Sequence, residues 1–172
     1  IHPRPPNKKP DADASGFLLL HETKRNLHME TIKSIAYGSK EYMETLALRN
    51  KVMRIPLGLD IYQEDMSAEA SSVLIGYFED EKLIGVGVMS NDGDIYKIEY
   101  LCVDSDIQSH GVGGKLLEQL EKTAAKRLGK KIIMDARVSA KRFYLRHGYT
   151  LIGDTFLLDY APVEHVIMEK IL

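Results

Sequence analysis

The chain has 172 residues and a formal net charge of −2, and 44% of its residues are hydrophobic, which fits one compact, soluble domain. No apolar run approaches the ~20 residues of a membrane-spanning helix, and the near-neutral charge disfavours nucleic acids and anionic membranes as partners. Cys102 is the single cysteine, which excludes an intrachain disulfide and a thiolate-rich metal site and suits a reducing, cytoplasmic compartment.

Residues 1–28 differ in composition from the rest of the chain. The first ten residues contain four prolines and several cations, a composition typical of extended or disordered chain. The apolar patch Phe17-Leu18-Leu19-Leu20 is too short for a secretory signal core. The chain does not begin with Met, and Met29 opens the first strand-like segment, so we interpret residues 1–28 as a leader or flexible extension and place the folded domain at 29–172.

The first half of this domain predicts a strand, a helix and then three more strands. Residues 31–37 have the pattern of a strand, and Ser39 is suited to cap a helix that runs to about Arg54. Pro56 and Gly58 then end that helix. The three following strands are predicted at 73–79, 83–90 and 95–103, the first two joined as a hairpin across Asp80-Glu81-Lys82.

The run Gln108-Ser109-His110-Gly111-Val112-Gly113-Gly114-Lys115 lies between the last of these strands and an amphipathic helix. Three glycines in four positions allow a tight turn and a close approach to a ligand, and the helix directs its free N–H groups toward the same point. The pattern therefore predicts a phosphate-binding loop. Leu116 stands where a P-loop needs Ser or Thr and where a dinucleotide fingerprint needs Gly, so ATP and NAD are disfavoured.

The second half of the domain predicts an alternation of strands and helices. Residues 132–138 form a buried-looking strand, and Ser139 caps a short helix that Gly148 ends. Two final strands are predicted at 150–153 and 165–171. Antiparallel strands followed by a strand-helix alternation predict an α/β fold, with a mixed sheet flanked by helices.

The glycine run resembles the acyl-CoA pyrophosphate loop of the GNAT N-acyltransferase superfamily, Gln/Arg-x-x-Gly-x-Gly/Ala, which Gln108, Gly111 and Gly113 match. Residues 140–149 resemble the later helix of the same superfamily, Ala-x-x-Phe-Tyr-x-x-x-Gly-Phe/Tyr. The two motifs occur in family order, and the resemblance covers 29–172. It implies a GNAT-like fold, in which a mostly antiparallel central sheet splays open beyond strand 95–103 and is flanked by about four helices.

The resemblance also implies how acetyl-CoA would be held, as a co-substrate and without a metal ion. Backbone groups of Leu101, Cys102 and Val103 would pair with the pantetheine amides. Backbone N–H groups from His110 to Lys115 would hold the pyrophosphate, and Gln108 would steady the loop. Main-chain dipoles rather than charged side chains would therefore fix the phosphates.

Acetyl transfer to an amine needs a neutral amine, a stabilised oxyanion and a proton for the departing thiolate. Tyr144 lies where the superfamily commonly has its general acid, and a phenol of pKa about 10 can donate to a thiolate of pKa about 8.5. Periodicity alone would make Tyr144 a core aromatic residue. The resemblance to the family favours the catalytic role.

Two residues compete as the base that deprotonates the amine. Glu99 would share a strand face with Leu101 and Val103 if no bulge interrupts the strand. Alternatively, Glu99 is an exposed residue that pairs with the neighbouring Lys97. His165 lies in a segment that resembles the closing strand of a subset of small GNAT proteins, although the Pro usual before that His is replaced here by Glu164. An imidazole near pKa 6.5 suits a base or a water relay.

The predicted function is acetyl transfer from acetyl-CoA to a primary amine by direct attack through a tetrahedral intermediate. The alternative is a non-catalytic acyl-CoA-binding module that senses the co-substrate or regulates a partner. The acceptor is expected to be a small-molecule or peptide amine, and a homodimer remains open. A cationic acceptor is favoured by the acids of the segments that would shape its pocket: Asp60, Glu64, Asp65, Asp154 and Asp159.

Overall fold

The computed structural model describes residues 28–107 and 111–172. These residues form seven strands and three α-helices, in the order β1 (Glu30–Ser34), α1 (Lys40–Arg49), β2 (Val73–Glu79), β3 (Lys82–Asp92), β4 (Ile95–Val103), α2 (Val112–Lys126), β5 (Lys131–Arg137), α3 (Lys141–Arg146), β6 (Thr150–Leu158) and β7 (Ala161–Ile171). None of the helices in the described ranges is long and apolar enough to cross a bilayer. Residues 1–27 of the predicted leader lie outside the described residues.

The seven strands form one sheet in the order β1-β2-β3-β4-β5-β7-β6. Only the β4–β5 pair is parallel, and the other pairs are antiparallel. Helix α1 packs on one face of the sheet, and α2 and α3 pack on the other, each face with its own core cluster. The predicted mixed, mostly antiparallel sheet is therefore confirmed, with three α-helices in the described part of the chain where about four were expected.

The predicted first helix begins as expected but changes geometry at its end. Ser39 Oγ accepts a hydrogen bond from the Tyr42 N–H at 3.1 Å and caps the helix start. The α-helix ends at Arg49 and continues as a π-helical turn, Asn50–Arg54. The apolar periodicity runs through this turn, so the sequence did not reveal it, and single π turns in α-helices often mark functional sites.

Helix α2 packs very close to the sheet. Leu116, Leu117 and Leu120 are fully buried beneath it. A Cβ atom added to Gly87 of β3 would lie 2.8 Å from Leu120 Cδ1, so a larger residue there would push the helix outward. This close contact fixes the start of α2 relative to the strands beneath it.

Strands β4 and β5 are paired over only part of their length. Their register runs from Ile95 opposite Lys131 to Ile98 opposite Met134. Beyond these residues β4 remains paired with β3, and β5 remains paired with β7 as far as Arg137. The predicted opening of the sheet is therefore confirmed, and it begins at Ile98, within β4.

The last two strands are longer than predicted. They form a hairpin of residues 150–158 and 161–171, where 150–153 and 165–171 were expected. Gly153 has a φ of +71°, and the register between β6 and β7 shifts between Ile152 and Phe156. This irregularity interrupts the alternation of side chains from which the strand was predicted, although the pairing resumes beyond it.

Candidate active site

The gap between β4 and β5 forms a cleft of about 160 Å³. Strands β4, β5 and β7 and helix α3 all contribute to its lining. The three residues predicted to be catalytic, Tyr144, Glu99 and His165, all line it. The structure thus brings together side chains that are distant in the sequence.

Tyr144 reaches the cleft from α3 and is only 7% exposed. Its ring packs edge-on against Phe143 and Tyr149, with centroids 5.1 and 5.7 Å away. Burial raises the pKa of Tyr144 to about 12. The phenol is therefore protonated at neutral pH, and its pKa lies about 3.5 above that of a thiol, compared with about 1.5 for an ordinary tyrosine. Complete proton transfer to a thiolate is correspondingly less favourable than the sequence suggested.

His165 lies on β7 and is 5% exposed. Its Nδ1 is 2.7 Å from the carbonyl oxygen of Val163. A carbonyl oxygen can only accept, so Nδ1 carries the proton of the neutral imidazole and Nε2 keeps its lone pair. The ring is therefore held in the tautomer that can accept a proton through Nε2.

The register between β3 and β4 shifts at Glu99, which is the extra residue of a β-bulge. Ile98 before the bulge and Leu101 after it pack into the same core cluster, so the alternation of side chains is interrupted between them. The prediction that Glu99 shares a face with Leu101 and Val103 is therefore wrong. Its carboxylate instead accepts a hydrogen bond from Ser90 Oγ of β3 at 2.7 Å.

The alternative prediction for Glu99, an ion pair with Lys97, is also not observed. Lys97 Nζ lies 3.0 Å from Asp135 Oδ2 of β5 and bridges the two strands near the point where they separate. Glu99 lines both the cleft and a larger neighbouring cavity. Glu99 is therefore one of the residues that the two cavities share.

The neighbouring cavity has a volume of about 860 Å³ and shares Arg54, Glu99, Tyr100 and Tyr160 with the cleft. We call it the acidic chamber, because its wall contains five carboxylates: Asp60, Glu64, Asp65, Glu69 and Glu99. The expectation for an acidic pocket is met by the first three of these residues. The other two predicted acids, Asp154 and Asp159, do not contribute to this wall.

Sequence reasoning missed a buried ion pair behind the chamber. Arg49 is fully buried, and its Nη1 donates to Glu69 Oε1 at 2.6 Å. The hydroxyl of Tyr42 donates to the other oxygen of Glu69 at 2.8 Å. Tyr42, Leu46 and Arg49 follow helical spacing, so the apolar face of α1 already contained a cation that required a partner.

A second arginine forms the wall between the cleft and the chamber. Arg54, in the π-helical turn, is 4% exposed and pairs with Glu64. Its Nη2 also donates to the hydroxyl of Tyr100 at 2.9 Å. The Arg54 guanidinium lies 5.5 and 5.6 Å from the ring centroids of Tyr100 and Tyr160. These contacts fix the guanidinium in place.

The main chain of β4 presents only alternate residues to the cleft. The N–H of Asp104 donates to the Ile84 oxygen of β3 at 2.8 Å. Alternate residues of an antiparallel strand direct their main-chain groups to the same neighbour, so Cys102 also pairs with β3. Leu101 and Val103 therefore direct their N–H and C=O groups toward the gap. Of the three predicted pantetheine contacts, that of Cys102 is not supported by this geometry.

Cys102 is also unsuited to covalent catalysis. Its side chain is 2% exposed and lies in the core cluster beneath α1. Burial raises the pKa of the Cys102 thiol to about 12, so the thiolate is not populated at neutral pH. Cys102 is therefore not suited to act as a nucleophile.

The predicted phosphate-binding loop is described from Gly111 onward. Gln108, Ser109 and His110 lie outside the described residues. Gly111 precedes the first residue of α2 and has a φ of +81°, a conformation that favours glycine. The N–H groups of Val112, Gly113 and Gly114 belong to the first turn, which precedes the ladder of helical hydrogen bonds. That they bind the pyrophosphate stays a prediction.

Lys115 does not fit the role predicted for it. Its N–H donates to the Gly111 oxygen at 3.0 Å, so it already belongs to the helical ladder. Its ammonium group lies 2.7 Å from Glu30 Oε2, on β1. The Lys115 side chain thus ties α2 to the edge of the sheet.

Gly113 and Gly114 also serve the packing of α3. A Cβ atom on Gly113 would lie 3.4 Å from the Phe143 ring, and one on Gly114 would lie 3.0 Å from His147 Nε2. The contact at Gly113 would be ordinary and that at Gly114 tight, so the missing side chain of Gly114 is what lets α3, which carries Tyr144, approach the start of α2. The sequence argument had assigned these glycines to ligand approach alone.

We expect Gly111→Ala and Gly113→Ala to differ in their effects. Alanine at position 111 must adopt a left-handed conformation, which costs roughly 1–2 kcal/mol. Alanine at position 113 is in a helix and makes an ordinary contact with Phe143, so stability should be unchanged or slightly higher. Thermal unfolding of the two variants checks this, and equal losses of stability would contradict the assignment of strain to Gly111.

The comparisons with known proteins agree with this geometry. Residues 53–172 match the family model of the acetyltransferase (GNAT) domain. An uncharacterised N-acetyltransferase of Bacillus subtilis, YjcF, is 29% identical over 136 residues, which cover 79% of this chain and 96% of the relative.

Solved structures show the same fold. A Lactobacillus plantarum protein described as an N-acetyltransferase has a TM-score of 0.73 at 20% identity, covering 83% of this chain and 98% of its own. A GNAT family acetyltransferase from Elizabethkingia anophelis, solved with acetyl-CoA bound, has a TM-score of 0.63 at 15% identity, with coverage of 83% and 98%. From the family match and the fold, the chain belongs to the GNAT acetyltransferase family.

Proposed function

We propose that the protein transfers an acetyl group from acetyl-CoA to a primary amine by direct attack of the amine. The proposal depends mainly on the cleft, where Leu101, Tyr144 and His165 meet at the opening of the sheet. The start of α2 lies at the end of the same strand, because a Cβ on Gly113 would be 3.9 Å from Val103 Cγ2.

The residues at this opening fit the parts of acetyl-CoA. The pantetheine arm contains amides, and Leu101 and Val103 supply donors and acceptors that β5 does not use. The pyrophosphate is an anion, and the first turn of α2 supplies N–H groups and the positive end of a helix dipole. Together they would place the thioester between β4 and β5, beside Tyr144.

The acceptor must lose a proton before or during its attack. A lysine-like amine has a pKa of about 10.4, so keeping it neutral near pH 7 costs roughly 4–5 kcal/mol without a base. Glu99 lines both cavities and can take this proton as the amine passes from the chamber to the cleft. His165 can take or relay it through Nε2 within the cleft. Both remain candidates for the base.

Tyr144 would act on the leaving group. Its pKa of about 12 keeps the phenol protonated, so it can donate a hydrogen bond to sulfur as negative charge develops there. The proton released by the attacking amine can finally neutralise the thiolate through the base or through water. Tyr144 is therefore proposed as a hydrogen-bond donor to the leaving sulfur.

Ligand-dependent thermal unfolding of the full chain, followed by a turnover assay, tests the proposal. At about 100 times Kd, acetyl-CoA should stabilise the protein by roughly 2.7 kcal/mol, a rise of several degrees, whereas ATP and NADH should not. Thiol release from acetyl-CoA should then depend on an added primary amine. Stabilisation without turnover would support the non-catalytic acyl-CoA-binding module instead, and no stabilisation would overturn both functions.

A further inference from the structure

Three of the five chamber carboxylates form no ion pair among the described residues. Glu64 pairs with Arg54, and Glu69 pairs with Arg49. The remaining three accept hydrogen bonds from uncharged donors only, and they are Asp60, Asp65 and Glu99. The chamber therefore keeps an excess of negative charge after its own ion pairs are formed.

The cavities that these three carboxylates line define two positions. Glu99 lines both the cleft and the chamber, whereas Asp60 and Asp65 line the chamber only. Asp60 accepts the Tyr62 N–H at 3.1 Å, and Asp65 accepts the Ser67 N–H at 2.9 Å. The hydrogen bond from Ser67 lowers the pKa of Asp65, so this carboxylate is ionised at neutral pH.

The wall between the cleft and the chamber is fixed, and its charge is balanced. The buried Arg54 guanidinium is compensated by Glu64 and held by the hydroxyl of Tyr100. The negative charge that stays without an ion pair therefore lies at Glu99, which also lines the cleft, and at Asp60 and Asp65, which line the chamber alone.

The remainder of the chamber suits an aliphatic chain. Apolar and aromatic side chains separate its acids, and these are Leu59, Met66, Ala68, Tyr100 and Tyr160. Methylene groups gain from such surfaces. Uncharged polar side chains also contribute to the lining, and these are Gln63, Ser72 and Ser90. The volume of about 860 Å³ accommodates a chain of many atoms.

We infer that the acceptor is a linear diamine or longer polyamine, with its reacting nitrogen at Glu99 and its distal ammonium group at the chamber acids Asp60 and Asp65. This inference rests on the proposed function and names the substrate class for the same site. The distal cation is bound through charge, and the methylene chain lies along the apolar wall.

The test compares three acceptors of equal length with the full chain and acetyl-CoA: butylamine, 1,4-diaminobutane and 4-aminobutanoate. Thiol release gives kcat/KM for each acceptor. The diamine should exceed the monoamine by roughly 10-fold, the effect of two partly exposed ion pairs, and the amino acid should fall below the monoamine. The preference for the diamine should shrink in 1 M salt, because screening weakens exposed pairs. A series of longer diamines then measures the spacing between the two positions.

The double variant Asp60→Asn/Asp65→Asn removes the distal charges and keeps the fold. An asparagine oxygen can still accept the N–H groups of Tyr62 and Ser67, so both local turns keep their hydrogen bonds. The ratio of diamine to monoamine kcat/KM should fall about tenfold, toward unity. Asp92→Asn, in the exposed end of β3 and outside the chamber lining, is the matched control and should keep the wild-type ratio.

The outcomes separate this inference from the proposed function. Equal kcat/KM for monoamine and diamine, or a preference that survives in the double variant, would overturn the substrate class and leave the acetyltransferase proposal in place. A higher rate with 4-aminobutanoate would do the same. Stabilisation by acetyl-CoA with no thiol release for any of the amines would overturn both.

Discussion

Tyr144→Phe is expected to lower kcat by roughly 10²–10³-fold, the usual cost of removing one positioned hydrogen-bond donor to developing negative charge. The variant keeps the ring that packs against Phe143 and Tyr149 and loses only the hydroxyl group at the cleft. The rise in melting temperature with acetyl-CoA should therefore persist. Steady-state kinetics with saturating acetyl-CoA, alongside thermal unfolding, measures both effects.

Tyr149→Phe is the matched control for this prediction. It removes the same atom from a neighbouring buried ring that does not line the cleft, so kcat should stay near the wild-type value. An equal loss of kcat in the two variants would contradict the assignment of the hydroxyl of Tyr144 to the leaving group. It would indicate that both changes act through the packing of α3.

The pH dependence of kcat gives a second check on Tyr144. The phenol donates only while protonated, and its raised pKa of about 12 keeps it protonated far above neutral pH. The wild-type protein should therefore show no loss of kcat through Tyr144 below about pH 11. An ordinary tyrosine would produce a fall centred near pH 10. If kcat of the wild-type protein fell near pH 10 and kcat of Tyr144→Phe did not, the phenol of Tyr144 would not be held in the buried state described here.

The features that the sequence predicted well are those with local signals. Gly111 is required by a positive φ at the start of α2, and the leucines of that helix follow its own periodicity. The motif that contains Tyr144 is centred on one short helix, α3. Such features depend on neighbours within a few residues, so they can be predicted from a single chain.

The features that the sequence missed depend on distant pairing. The bulge at Glu99 is defined against β3, and one extra residue reverses the facing of every residue beyond it. Similarly, the main-chain direction of Cys102 follows from its pairing with β3. Arg49 could have been identified as a buried cation from its place on an apolar helix face. Its partner Glu69 could not, because it lies twenty residues away in a short 3₁₀ segment.

The ion pair between Arg49 and Glu69 links the stability of the fold to the shape of the acidic chamber. Arg49 is fully buried, and its guanidinium lies 4.6 Å from the centroid of the Tyr100 ring. Glu69 and Tyr100 both line the chamber. A change at Arg49 should therefore affect both the unfolding free energy and the acceptor site, although Arg49 itself does not line the chamber.

Arg49→Met is expected to lower the free energy of unfolding by roughly 3–5 kcal/mol, because it leaves a buried carboxylate without its cation. Methionine fills much of the space of the arginine stem, so the loss should come mainly from charge. For a domain of this size the melting temperature should fall by roughly 10 °C. Chemical denaturation and thermal unfolding measure the two quantities.

Two further variants show whether the loss comes from the unpaired charge. Arg49→Met/Glu69→Leu removes both charges, and at least half of the lost stability should return, since an apolar pair can replace a buried ion pair of similar volume. Lys122→Met breaks an ion pair between Lys122 and Glu118, which are 67% and 62% exposed. Because this pair is on the surface, the melting temperature should change little. If the double variant were as unstable as Arg49→Met, loss of packing around α1 would be the cause, and the chamber would depend on the volume of Arg49 rather than on its charge.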